Sequence, residues 1–140
     1  MTLAAGYRLV DGAPSTDDYV RLRRESGLSV KTAEQGSAAI TGSWAFRHVV
    51  DASGDVVAMG RLVGDGAWYF LVADMATLPE HQGRGIGSAI LDSLLEQIHA
   101  EVPAGAYVTL TADPPGRRLY ESRGFVDVAP ARTGMHLVTN

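Results

Sequence analysis

The segment with the clearest chemical potential is the glycine-rich stretch from Gln82 to Ser88, which reads QGRGIGS. Glycines at positions 83, 85 and 87 leave successive backbone N–H groups unshielded, directly before a long amphipathic segment. Unshielded N–H groups at the positive end of a helix dipole suit a phosphate or pyrophosphate. A phosphate-bearing ligand is therefore expected at residues 82–88.

Two common nucleotide-binding patterns do not fit this loop. A P-loop ends in Gly-Lys-Ser/Thr, whereas Gly87 is followed directly by Ser88 with no lysine. A dinucleotide fingerprint beginning at Gly83 requires glycine where Ser88 stands, and it belongs near the first strand rather than the fourth. The sequence therefore indicates another class of phosphate ligand.

The elements that must position this loop alternate between strand and helix. Strands are predicted over 7–10, 44–50, 56–63, 68–72, 107–110, 125–128 and 135–138, and helices over 16–26, 32–40, 86–102 and 114–123. The order βααβββαβαββ predicts a single α/β (α+β) domain over residues 1–140. Its mixed central sheet is expected to have about 6–7 strands flanked by about four helices. The run Trp68–Val72 is apolar on both faces, which predicts a strand buried on both sides.

Composition excludes several classes of function. The chain has 140 residues, 46% of them apolar and 20% charged, enough for one hydrophobic core. A net charge of −4 without a basic run argues against nucleic acid as a partner. The longest apolar run, Ala67–Ala73, is far shorter than the roughly 20 residues that cross a membrane, so no membrane partner is expected.

The content of cysteine and of potential metal ligands bears on the location of the protein and on metal binding. The sequence contains no cysteine and no recognisable signal peptide, so a cytoplasmic protein is expected. Asp, Glu and His residues do not group at metal-ligand spacing, and no metal is predicted.

Two motifs together resemble one enzyme family. Gln82, Gly85 and Gly87 form a Gln-x-x-Gly-x-Gly pattern, and Leu119–Phe125 reads LYESRGF. The first resembles the acyl-CoA pyrophosphate loop of the GNAT superfamily of N-acetyltransferases. The second is similar to that family's Leu-Tyr-x-x-x-Gly-Phe segment. The flanking sequence is loosely similar to the arylalkylamine acetyltransferase-like subgroup.

The resemblance implies acetyl-CoA as co-substrate. In the family, the strand before the loop separates from its neighbour at a bulge and pairs with pantetheine. The residues that the resemblance assigns to acetyl-CoA are Met75, Ala76, Thr77, Gln82, Gly83, Arg84, Gly85, Ile86, Gly87, Ser88, Asp113 and Tyr120. Many members carry Asn at the position of Asp113 and Ala at that of Gly116, so this chain departs from the family there.

Two residues are candidates for catalysis. The motif assigns Tyr120 as the acid that protonates the departing thiolate. Asp74 lies just before the pantetheine-binding residues. It is either a base for the incoming ammonium or a carboxylate that pairs with an arginine or caps a bulge. His81, in the loop, is predicted to be solvated.

The sequence thus predicts an acetyl-CoA-dependent N-acetyltransferase that acts on a small-molecule primary amine. Acetylation of a protein N-terminus or lysine is the alternative within the same class. A non-catalytic acyl-CoA sensor is the alternative from another class. A homodimer is compatible with the family resemblance.

Overall fold

The computed structural model describes residues 3–140, which form two compact units divided after Leu110. The first unit holds β1 (Arg8–Asp11), α1 (Thr16–Glu25), α2 (Ala33–Thr41), β2 (Ala45–Val50), β3 (Val56–Gly64), β4 (Tyr69–Thr77), a 3-10 turn (Pro79–His81), α3 (Ile86–Glu101) and β5 (Tyr107–Thr109). The second unit, Thr111–Asn140, holds a 3-10 turn (Pro114–Gly116) and the short helix α4 (Arg117–Glu121).

One mixed sheet organises the first unit. Its strand order is β1-β2-β3-β4-β5, with antiparallel pairing from β1 to β4 and parallel pairing of β4 with β5. The α/β class is therefore confirmed. Since β4 and β5 are parallel, the chain must cross over between them, and α3 is that crossover.

The predicted number of strands is wrong. The described residues form five strands, and neither 125–128 nor 135–138 is one of them. Phe125 is half-buried, but the other apolar side chains of these segments are exposed, among them Val126 at 84% and Met135 at 96%. A four-residue alternating pattern records which side chains share a face, but not whether a partner strand is available. A short hairpin without further partners is marginal in water.

Adjacent residues of β3 show how the helices divide between the two faces of the sheet. Gly60 lies against Ile90 of α3, whereas the side chain of Arg61 bonds to Asp74 beside α1. Successive side chains of a strand point to opposite faces. Therefore α3 covers one face and α1 the other. Each face has its own buried residues, with Ile90 and Leu94 on α3 and Tyr19 and Leu22 on α1.

A bulge interrupts β4 in its middle. Met59 pairs with Ala76 and Arg61 with Ala73, so Asp74 and Met75 together lie opposite the single residue Gly60. Asp74 has a φ of 55°, the left-handed region that Asp adopts more readily than most residues. One extra residue on one strand defines a β-bulge, which bends the strand and increases its twist.

The first half of β4 is buried on one face only. Phe70 and Val72 are buried against the α3 side, whereas Tyr69 and Leu71 are 46% and 38% exposed. The prediction that this strand is buried on both faces is therefore wrong. An apolar run in sequence does not reveal that α1 covers only the later part of the strand.

Gly60 is required by the bulge that it faces. A Cβ at this position would lie 2.3 Å from Sδ of Met75 and 2.8 Å from Cγ2 of Ile90. We expect Gly60→Ala to reduce the free energy of unfolding by about 1–3 kcal/mol, because both side chains must shift. Gly134→Ala is the matched control, since a Cβ at Gly134 has no heavy atom within 4 Å. Urea unfolding measures both, and equal stabilities would contradict the packing described.

Candidate functional site

Asp74 is the centre of a buried polar cluster. Its side chain is 6% exposed and accepts hydrogen bonds from Arg23, Arg61 and Tyr19. The Nε–Oδ2 distance to Arg61 is 2.7 Å, and the Tyr19 hydroxyl lies 2.5 Å from the same oxygen. Both carboxylate oxygens therefore have positively charged partners. This arrangement matches the alternative in which Asp74 pairs with an arginine.

The two arginines extend the cluster into the neighbouring backbone. Arg23 donates to the carbonyl oxygen of Ser29 at 3.0 Å and to its hydroxyl at 2.9 Å, which fixes the loop between α1 and α2. Arg61 donates to the hydroxyl of Ser43 at 3.3 Å, just beyond α2. The bulge in β4 is thereby connected to the segments that precede and follow α2.

Tyr19 is held in its protonated form. It lies one helical turn before Arg23, so both side chains leave the same face of α1. Burial, together with the hydrogen bond to Asp74 and its negative charge, raises the pKa of Tyr19 to about 12. The hydroxyl therefore remains a hydrogen-bond donor to the carboxylate throughout the ordinary pH range.

The glycine loop ends at an uncapped helix N-terminus. Gly85 is the N-cap of α3, with φ of 76°, and Gly83 has the same φ. No side chain caps this end of the helix, and its first turn contains no acidic residue. The backbone N–H groups of Ile86, Gly87 and Ser88 therefore begin the helix without side-chain acceptors, as the phosphate prediction requires.

Gln82 connects the loop to the end of β4. Its side-chain amide donates to the carbonyl of Thr77 at 3.0 Å. On the other side of the strand, the N–H of Leu78 bonds to the carbonyl of Val57 on β3. Backbone groups alternate in direction along an antiparallel strand, so those of Thr77 point away from β3. Ala76, which pairs with Met59, directs its backbone groups towards β3 instead.

The outer edge of β4 is open beyond its first three residues. β5 pairs with β4 only at Tyr69, Phe70 and Leu71. From residue 72 to residue 77, β4 has β3 on one side and no paired strand of the described chain on the other. At ~3.3 Å per residue this free edge is about 17 Å long. An extended ligand can add to such an edge by main-chain hydrogen bonds.

A cluster at the glycine loop was not expected from the sequence. The hydroxyl of Tyr7 lies 2.7 Å from Nδ1 of His81 and accepts a hydrogen bond from Arg84 at 2.8 Å. The prediction that His81 is solvated is therefore wrong. More than 70 residues separate Tyr7 from both partners, and no local pattern signals such a contact.

The second unit contains the remaining candidates. Asp113 precedes the 3-10 turn, but its side chain makes no capping hydrogen bond. The helix predicted over 114–123 is shorter in the structure, where α4 covers only Arg117–Glu121. Burial, and secondarily the charge of Asp113, raises the pKa of Tyr120, so its hydroxyl is protonated at neutral pH.

Comparison with known proteins decides the family. The model of the acetyltransferase (GNAT) domain matches residues 44–127, more than half of the chain. The chain belongs to the GNAT family. Protein SA2161 from meticillin-resistant Staphylococcus aureus, described as a probable acetyltransferase, superimposes with a TM-score of 0.90 at 30% identity, covering 95% of this chain and 99% of that one.

Two further relatives support the same family assignment. The GNAT family protein SP0256 from Streptococcus pneumoniae has a TM-score of 0.75 at 26% identity, covering 95% of this chain and 98% of that one. An uncharacterized N-acetyltransferase, ycf52, of Pyropia yezoensis is 28% identical over 86 residues, 61% of this chain. The GNAT chain spans about half, 48%, of that relative's length.

Two features of the GNAT domain match the chemical parts of acetyl-CoA. The uncapped start of α3 suits a pyrophosphate, and the free edge of β4 suits an amide-containing arm. Within residues 3–140, no cluster of three or more His, Asp or Glu side chains could hold a metal ion. Over the same residues, no helix is long and apolar enough to cross a membrane.

The buried charges predict a large effect of Asp74→Asn. Asparagine also tolerates a positive φ, so the substitution removes the charge while the bulge remains allowed. Arg23 and Arg61 would then lose their shared counter-charge, and we expect the free energy of unfolding to fall by about 3–5 kcal/mol. Urea unfolding measures the loss.

Asp11→Asn is the matched control for this substitution. The carboxylate of Asp11 pairs with Arg47, but its side chain is 87% exposed, so its removal should cost less than about 1 kcal/mol. If Asp74→Asn retained full stability and only raised the KM of the acceptor amine, the base interpretation of Asp74 would be supported instead.

Proposed function

We propose that this GNAT domain transfers the acetyl group of acetyl-CoA directly to a primary amine of a small molecule. The observation that carries the proposal is the continuity between the free edge of β4 and the uncapped start of α3. Gln82 joins these two features through its hydrogen bond to Thr77. A ligand with an amide-containing arm and a pyrophosphate matches that sequence of groups.

The backbone contacts proposed for the arm come from residues 72–77 with the exception of Ala76, whose backbone groups are directed towards β3. Met75 belongs to the bulge, where β4 changes direction, and Thr77 has its carbonyl on the open edge. Main-chain hydrogen bonds at this edge would hold the thioester in one orientation. Such positioning supplies much of the rate in a reaction between two bound substrates.

An exposed apolar patch supports a small amine with an apolar body as acceptor. The patch consists of Trp68, Tyr69, Leu71 and Tyr107, which are between 36% and 59% exposed. The ring of Tyr69 lies 5.5 Å from that of Trp68 and 5.5 Å from that of Tyr107. Leu71 is the last residue of β4 that pairs with β5, so the patch ends where the free edge begins.

The proposed reaction is a single displacement. The neutral amine attacks the thioester carbonyl, a C–N bond forms, and the resulting oxyanion collapses as the C–S bond breaks. The departing thiolate takes the proton of Tyr120, the nitrogen releases its extra proton to solvent, and Tyr120 is reprotonated from solvent. The resemblance assigns the acid role to Tyr120, and its raised pKa keeps that proton available at neutral pH.

Asp74 is proposed to position the reaction rather than to act as its base. Its oxygens are occupied by Arg23, Arg61 and Tyr19, so it fixes the bulge that orients the free edge. Any proton transfer from the ammonium then requires water. A cytoplasmic location belongs to the same proposal.

A panel of amines tests the acceptor. Release of free CoA from acetyl-CoA is measured with phenylethylamine, an alkylamine, an amino sugar, and peptides with a free N-terminus or lysine. We expect the aryl and alkyl amines to be turned over fastest, because their apolar parts can contact the patch. Trp68→Ala should raise their KM more than that of the amino sugar. Turnover of peptides alone would indicate a protein acetyltransferase, and CoA binding without any turnover would indicate a sensor.

Tyr120→Phe tests the acid. Loss of general-acid catalysis should reduce kcat by about 10²- to 10⁴-fold while the affinity for acetyl-CoA changes little. The wild-type kcat should fall only at a pH above the raised pKa of Tyr120, since the protonated phenol is the active form. Steady-state kinetics against pH measure both effects. An unchanged kcat, with chemistry rate-limiting in both proteins, would remove Tyr120 from the mechanism.

A further inference from the structure

Tyr7, His81 and Arg84 form a cluster in which Tyr7 and His81 have no role in the proposed reaction. Tyr7 directly precedes β1, whereas His81 and Arg84 flank the start of the glycine loop. The rings of Tyr7 and His81 meet edge to face, with centroids 5.6 Å apart and an interplanar angle of 88°. The guanidinium carbon of Arg84 lies 6.0 Å from the centroid of the Tyr7 ring.

The Tyr7 hydroxyl bridges two side chains at the loop. A guanidinium can only donate, so the Tyr7 oxygen accepts from Arg84. The same hydroxyl hydrogen-bonds to Nδ1 of His81, 2.7 Å away, with the direction set by the imidazole tautomer. Tyr7 thus joins the side chain of His81 to that of Arg84.

Arg84 is an exposed cation next to the positive end of α3. Arg84 directly precedes the N-cap of α3, where the helix dipole is positive and repels a cation. Among the described residues, Arg84 has no carboxylate within ion-pairing distance, and its side chain hydrogen-bonds only to Tyr7. A guanidinium held at a positive helix end is well placed for a phosphate group.

We propose that Tyr7 is a positioning residue for phosphate recognition at this loop. It holds the guanidinium of Arg84, which directly precedes the N-cap of α3, and the hydrogen bond to His81 orients the phenol. The ligand class is a pyrophosphate ester, and the inference rests on the proposed binding of acetyl-CoA. Tyr7, which directly precedes β1, is thereby expected to affect the affinity for the phosphate end of the ligand and to leave the affinity for the pantetheine arm unchanged.

Binding measurements on two ligands separate these contributions. Titration calorimetry is performed with CoA and with pantetheine, which shares the arm but lacks every phosphate. Tyr7→Phe retains the ring and removes the hydroxyl, and we expect it to raise the Kd of CoA roughly three- to tenfold. The Kd of pantetheine should not change. In kinetics, the KM of acetyl-CoA should rise while kcat is retained.

A double-mutant cycle identifies the partner. Arg84→Met should weaken CoA binding, and addition of Tyr7→Phe in that background should have no further effect, since the phenol acts through the guanidinium. Arg8→Met is the matched charge control, because Arg8 is exposed, adjoins Tyr7 in sequence and lies on β1. It should leave the CoA affinity near that of the wild type.

Three results would overturn the inference. These are an unchanged Kd of CoA in Tyr7→Phe, an equal loss for CoA and pantetheine, and a full additional loss in the Arg84→Met background. Far-UV circular dichroism and thermal unfolding establish that the variants are folded. If the wild-type protein failed to bind CoA at all, the proposed function itself would be wrong, which is a distinct outcome.

Discussion

The carboxylate of Asp74 is the interaction on which the arrangement of the first unit depends. A buried carboxylate is costly unless it is paired, and Asp74 obtains its partners from two different elements, α1 and β3. Because Arg23 also holds Ser29, one network fixes the bulge of β4, the face of α1 and the loop that follows α1. Moving any of these segments separately would leave a buried charge without its partner.

The bulge gives β4 two different halves. Before it, residues 69–71 pair with β5, and Tyr69 and Leu71 contribute to the exposed apolar patch. After it, the strand continues along β3 with its outer edge free, and it ends in the loop that begins α3. Gly60 permits this geometry, because only a residue without Cβ fits beneath Met75 and Ile90. A donor edge and an acceptor patch can therefore lie along the same strand.

The glycine loop is stabilised from both sides by side-chain contacts that the motif itself does not predict. Gln82 bonds to the end of β4, and Arg84 bonds to Tyr7 at the entrance to β1. The motif supplies the unshielded N–H groups, whereas these contacts determine where the loop lies relative to the sheet. Contacts with β4 and with the segment before β1 therefore determine where the N–H groups of the loop are presented.

The sequence by itself determined the α/β class, the order of the elements through β5, the family and the position of the glycine loop. These follow from periodicity and from backbone freedom at particular glycines, which are local properties. Only the tertiary structure decided that Asp74 is paired with Arg23 and Arg61, that Tyr7 reaches His81, and that the segments at 125–128 and 135–138 form no strands. Those outcomes depend on which distant groups become neighbours, and a local pattern does not identify a partner that lies 13, 51 or 74 residues away in the chain.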